Sequence, residues 1–242
     1  MFSLIWHTIF FDPVYNGLVF FIDTIPGGDV GLSIIAITIV VKMILLPLSL
    51  KAAKTQKVLR DIDPKLKEIK ERLKDKREEQ ARAIMDLYKE AGINPFSSIF
   101  LMLLQIPIII ALYFSVSRGG GVALPDINID ILYSFVPIPE HASMMFLGLI
   151  DVAAKSWPLA ALAGITQFLH ARMTLTPPAP KKDPNKADFK EDFAHTMHLQ
   201  MRYVLPIVIF VVAYSISAAV ALYFTISNLA TIAQEFVVRR HR

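Results

Sequence analysis

The chain has 242 residues, 54% of them hydrophobic, and a mean hydropathy of +0.49; a soluble core of this length does not need so much apolar side chain, so the surplus must face lipid. The lack of cysteine excludes disulfides, thiolate metal sites and cysteine nucleophiles. The net charge of +4 says less than its distribution, because Lys and Arg are missing from residues 1–41 and about half of the 25 lie between Lys51 and Lys89.

The opening residues lack the basic n-region and small-residue cleavage site of a secretory signal, and read as mature sequence. Within 1–29, Asp12-Pro13 reads as a helix start, with the carboxylate as N-cap and proline at the first helical position. Val14, Tyr15, Leu18, Val19 and Ile22 then form one apolar stripe that ends before Pro26-Gly27-Gly28. A helix beginning at Asp12 is too short to span, so the pattern predicts an amphipathic helix lying in the outer interface.

Hydrocarbon about 30 Å thick takes roughly 20 apolar residues of helix. Such runs occur at 31–50, 97–116, 156–174, 203–217 and 218–237. The last two divide one over-long stretch near Ser215, Ser217, Ala218 and Ala219, which predicts a tight helical hairpin. The expected organisation is a first transmembrane helix within 30–50, a charged hairpin over 51–95, and four further spans within 96–242.

Keeping basic loops in the cytoplasm puts the N-terminus outside, 51–95 inside, 117–155 outside, and 175–202 and the C-terminus inside. Arg172, Lys181, Lys182, Lys186, Lys190 and Arg202 then share one side with Arg239, Arg240 and Arg242. The outer loop has only Arg118 and Lys155 against Asp126, Asp130, Glu140 and Asp151.

In the charged segment, Leu59, Ile62, Leu66, Ile69 and Leu73 repeat at spacings of three and four, the pattern of a coiled-coil seam. Asp75-Lys76 can turn the chain, and Ala81, Ile84, Tyr88 and Ala91 offer a seam on the returning helix. The prediction is an antiparallel cytoplasmic hairpin whose first arm is roughly 30 Å long.

Lys42 stands in the middle of the first apolar run. A lysine there costs about 2.5–3.5 kcal/mol on insertion scales and normally faces a wet or polar cavity. Snorkelling competes with that reading, but a span centred near residue 40 leaves the ammonium roughly 12 Å from the inner boundary, about twice a lysine's reach. Thr38 and Ser49 share its side of the helix. Gln105, Thr166, Gln167, His170, Ser227, Asn228, Thr231 and Gln234 on other spans can complete a polar interior, with Glu235 near an inner end.

Conventional chemistry is poorly represented. No phosphate-binding G-x-x-x-x-G-K-[ST] occurs, and Gly119-Gly120-Gly121 reads as a turn. His195 and His198, beside Glu191 and Asp192, lack a closed metal-ligand set. A serine/lysine dyad of Ser49 and Lys42 is separated by about 10 Å along the helix. No cofactor, no metal and no enzyme activity are expected.

The residues resemble the YidC/Oxa/Alb family of membrane protein insertases over nearly the whole chain. "VVKMILLPLSLKAAKTQK" is similar to its cation-bearing first span, with Lys42 where bacterial members usually carry arginine. "LYKEAGINPF" and "LLQIPIIIALYF" resemble the second-span signature through Asn94, Pro95, Gln105, Pro107, Ala111, Leu112 and Tyr113. "FLGLIDVAAKSWPL", "GITQFLHARM" and "LYFTISNLATIAQE" resemble the outer segment, third span and last span. Leu101 and Ser217-Ala218-Ala219 depart from a proline and a Pro-Ser/Ala-Gly turn common in members.

The resemblance implies an all-α integral membrane protein of the bacterial plasma (inner) membrane, with five transmembrane helices around a hydrophilic groove open to cytoplasm and lipid. The groove would comprise Lys42, Thr38, Gln105, Tyr113, Thr166, Gln167, Ser227, Asn228 and Thr231. It implies insertion of nascent membrane proteins without nucleotide hydrolysis and without sequence-specific nucleic-acid binding. Partners would be those proteins and the bilayer, with the Sec translocon, ribosome and signal recognition machinery as further candidates. A channel or transporter using Lys42 as an ion or substrate site is the competing class, followed by an intramembrane hydrolase.

Overall fold

The computed structural model describes residues 2–94, 97–117, 121–174, 196 and 199–240. Most of the inner loop expected at 175–202, including His195, His198, Glu191 and Asp192, lies outside the described residues, as do Pro95, Arg118, Gly119, Gly120 and Arg242. The chain forms two compact bodies, residues 1–42 with 108–242, and residues 43–107. Its helices are α1 (Phe2–Ile5), α2 (Asp12–Thr24), α3 (Val30–Asp61), α4 (Asp63–Arg72), α5 (Arg77–Glu90), α6 (Ser97–Ser117), α7 (Trp157–Thr174), α8 (Leu205–Ile216) and α9 (Ala218–Arg240). Thus the chain is a largely helical integral membrane protein.

In the larger body, α1 runs through a π-helical segment, Trp6–Phe11, directly into α2. This corrects the expected start at Asp12. Asp12 has helical backbone angles, its amide donates to the carbonyl of His7 five residues back, and its carboxylate meets His7 Nδ1 at 2.9 Å. The wide turn falls where Pro13, lacking an N–H, would otherwise break the α-helical ladder. The helical stretch Ser3–Thr24 is therefore 22 residues, long and apolar enough to cross a membrane. Its expected interfacial stripe also turns inward, because Val14, Tyr15, Leu18, Val19 and Ile22 are all buried in the protein.

What covers that stripe includes the segment between α6 and α7. Tyr15 accepts a hydrogen bond from the Asn128 amide at 2.8 Å, and Val136 packs with Phe11, Tyr15 and Val19. Asn16 donates to the Ile131 carbonyl at 2.9 Å and accepts from the Tyr133 amide at 2.6 Å, satisfying a buried amide on both its ends. Asp29 does comparable work before α3. Its carboxylate accepts from Leu32 N at 2.9 Å, as an N-cap does, and from Leu147 N at 2.7 Å.

Strands β1 (Met145–Phe146) and β2 (Ile150–Asp151) pair antiparallel, Met145 opposite Asp151. Just beyond them, the carbonyls of Val152 and Ala154 accept from Ala219 N at 2.9 Å and Ala218 N at 2.8 Å. The opening amides of α9 are thus satisfied by loop backbone. Buried Ala218, Ala219 and Ala221 are small enough to permit this approach. Ser217 is extended, with φ −168° and ψ 164°, and separates α8 from α9. Helix α7 packs on both α8 and α9, burying Ala160, Ala163 and Gly164 in the small-residue packing common between membrane helices.

Besides Ser3–Thr24, the stretches Val30–Leu59 and Ala218–Val237 are long and apolar enough to cross a membrane, whereas Leu103–Ser117 and Gln200–Ile216 are apolar but shorter.

In the smaller body, α4 turns at residues 73–76 and returns as α5, with Gln80 Nε2 donating to the carbonyls of Lys70 at 3.0 Å and Leu73 at 3.3 Å. Leu66 and Leu87 are buried, while Leu59, Ile62, Ile69 and Leu73 are half-buried. Two details differ from expectation. The first arm breaks at Ile62, two residues before Pro64, which takes the first turn of α4, where its missing N–H breaks no helical bond. The returning seam centres on Leu87, and Ala81 is exposed. Gly92, at φ +65°, closes α5 with its amide donating to the Lys89 carbonyl at 3.0 Å.

Candidate functional site

Lys42 belongs to the part of α3 that lies in the larger body. Its Nζ donates to Thr231 Oγ1 on α9 at 3.3 Å, the long end of hydrogen-bond distance. Thr231 spends its own proton on the Ser227 carbonyl one turn back, at 2.9 Å, so its oxygen is turned to accept. Among the described residues no carboxylate lies within salt-bridge distance of Lys42. A half-buried ammonium is therefore held by a hydroxyl dipole and not neutralised by a resident acid.

A second polar link joins α9 to α7. Asn228 Nδ2 approaches Thr166 Oγ1 at 3.3 Å and the Ala163 carbonyl at 3.5 Å, while Thr166 donates to Leu162 O at 2.9 Å and Ala163 O at 3.0 Å. Both side chains are buried. One turn after Thr166 comes His170, whose Nδ1 is buried without a protein partner among the described residues. It stands within electrostatic range of Lys42 and Glu235.

The expected groove residues thus separate into groups. Lys42, Thr231 and Ser227 form one chain, and Thr166 and Asn228 another. Thr38 is buried and returns its hydroxyl to the Ile34 carbonyl, beside an apolar void of about 10 Å³ lined by Val14, Ile37, Thr38, Val41, Ile108, Leu112 and Tyr223. Such a space is at most one water in size. Gln167 and Tyr113 are half-buried, the Tyr113 ring lying 5.6 Å from that of Phe114. Gln105 and the five seam residues Leu59, Ile62, Leu66, Ile69 and Leu73 are in the smaller body. Ser49 donates to the Leu46 carbonyl at 2.9 Å, so the stripe of hydroxyls expected beside Lys42 is largely spent on helix backbone.

His170 was legible only as one polar residue among several. The signal that distinguishes it is its spacing of four from Thr166, which puts both on one side of α7.

Residues 21–242 match the family described as 60Kd inner membrane protein. A membrane protein insertase YidC from Geotalea daltonii is 30% identical over 237 residues, covering 97% of this chain and 38% of the relative. The membrane protein insertase MisCA of Bacillus subtilis is 27% identical over 228 residues, covering 92% of this chain and 75% of that protein. A membrane protein insertase YidC from Oceanobacillus iheyensis is 28% identical over 244 residues, covering 98% and 84%. The chain therefore spans well under half of some relatives and most of others. With a match running from residue 21 to residue 242, this chain belongs to the 60Kd inner membrane protein family.

Proposed function

We propose that this chain is a membrane protein insertase of the bacterial inner membrane. The observation that carries the reading is Lys42, an ammonium inside a helical membrane body whose partner among the described residues is a neutral hydroxyl. A cation so placed can attract the acidic, polar tail of a nascent membrane protein. It also keeps water or other polar groups nearby, lowering the desolvation cost of moving that tail. Family membership and the names of the relatives point the same way.

In this reading the chain crosses the membrane five times, with its N-terminus outside and its C-terminus in the cytoplasm. Lys42, Thr231, Ser227, Thr166 and Asn228 border a groove open to cytoplasm and lipid, to which Tyr113 and Gln167 also contribute. The hairpin of α4 and α5 engages the nascent chain, with the ribosome, Sec translocon and signal recognition machinery as candidate partners. Apolar partitioning of the substrate helix and the membrane potential drive insertion, and no nucleotide is hydrolysed.

Reconstitution tests this reading. Liposomes containing the protein should insert a short two-span substrate without nucleotide, and substrate-free liposomes should show no ion flux that depends on Lys42. Flux lost in Lys42→Ala, with no insertion by the wild type, would establish a channel instead.

A further inference from the structure

The hairpin between α6 and α7 is apolar where a water-facing turn would be polar. Leu147 and Leu149 are 59% and 79% exposed, and Met145 also faces outward. Residues 142–150 contain no charged side chain. Leu147 adopts φ +53° and is followed by Gly148 at φ +71°. A left-handed turn position favours Gly, Asn or Asp, and leucine is disfavoured there. The fold nevertheless fixes an apolar side chain at this tip.

The tip is held by hydrogen bonds and packing. Leu147 N donates to the Asp29 carboxylate at 2.7 Å, Leu149 N to the Phe146 carbonyl at 3.0 Å, and the Phe146 ring packs over Gly31. Beyond the strands, past exposed Asp151 and Lys155, the chain enters α7. Six residues after the strands comes Trp157, 68% exposed at the start of α7. Leu162, Ile165 and Leu169 then form an exposed stripe along that helix. A tryptophan at a helix end, following an uncharged leucine-bearing turn and a lysine and leading into an apolar stripe, matches the composition of a membrane interface.

We propose that the Met145–Asp151 hairpin is a lipid anchor. Its Leu147 and Leu149 side chains enter the boundary between phospholipid headgroups and acyl chains, beside Trp157. The anchor fixes the depth at which α7 begins. Through Asp29 and the Val152 and Ala154 carbonyls it also fixes the starts of α3 and α9. The inference rests on α7 crossing the membrane, so its test includes a site on that helix.

The lack of cysteine makes the experiment direct. The full chain carrying Leu149→Cys, Ile165→Cys or Glu140→Cys is labelled with an environment-sensitive fluorophore. It is reconstituted in phosphatidylcholine/phosphatidylglycerol vesicles containing shallow or deep doxyl lipids. The label at 149 should be blue-shifted and quenched at least twofold more by shallow than by deep doxyl groups. The label at 165 should show the reverse preference, and that at 140 should remain aqueous. A label at 149 matching that at 140 would overturn the anchor while leaving α7 as a span. An aqueous label at 165 would overturn both. Shielding at 149 that disappears on tenfold dilution into lipid would replace the bilayer with a second copy of the chain.

Discussion

Lys42 on α3 and Thr231 on α9 meet through a 3.3 Å hydrogen bond in which the hydroxyl accepts, its own proton being committed to the Ser227 carbonyl. The contact stabilises the ammonium without neutralising it, and leaves its charge open to a passing carboxylate.

Replacing Thr231 with valine keeps the volume and removes the acceptor. The bond is long and half-exposed, so the expected loss of stability is about 1 kcal/mol. Insertion should fall less than threefold, because the charge remains. Denaturant unfolding in detergent and a proteoliposome insertion assay check the two halves of this expectation.

Thr166 and Asn228 are both buried and meet at 3.3 Å. A double-mutant cycle with Thr166→Val and Asn228→Leu should give a coupling energy of about 0.5–1.5 kcal/mol, the range of interhelical hydrogen bonds in membranes. Additive losses would show that the contact does not join α7 to α9 energetically.

Two glycines have left-handed backbone but different surroundings. A Cβ at Gly28, φ +62°, would overlap the His141 carbonyl, whereas one at Gly92, φ +65°, meets nothing within 4 Å. Gly92→Ala should cost about 1–2 kcal/mol, the left-handed penalty alone. Gly28→Ala must also displace backbone, and should reduce the yield of folded protein more strongly. Thermal unfolding of purified variants measures the contrast.

Asp29 joins α3 to the hairpin through Leu32 N and Leu147 N. Asp29→Ala should cost about 2 kcal/mol, since hydrogen bonds to a charged acceptor are worth about 1.5–3 kcal/mol. It should also release the 121–156 segment to protease. Asp29→Asn retains one acceptor and should show an intermediate cleavage rate.

Much of this arrangement was visible in the residues. Apolar run length located α7 and the division between α8 and α9, where Ser217 interrupts a stretch too long for one span. The burial of α2 was not visible. An apolar stripe looks the same whether it faces lipid or protein, and long-range contacts such as the pairing of Asn16 with Ile131 and Tyr133, more than a hundred residues away, distinguish them. Asp12-Pro13 reads as a helix start because local preference carries no record of the π turn that absorbs the proline. Lys42 was conspicuous for its charge, while its partner Thr231 was one hydroxyl among many until the helices were packed.

The charge of Lys42 is tested most directly by inserting two-span substrates with acidic, neutral or basic tails into proteoliposomes of wild type, Lys42→Arg, Lys42→Ala and Lys42→Glu. The wild type should favour the acidic tail at least threefold, and Lys42→Arg should keep that order. Lys42→Ala should lose the preference, and Lys42→Glu should reverse it toward the basic tail. An unchanged preference for the acidic tail in Lys42→Ala and Lys42→Glu would contradict the account.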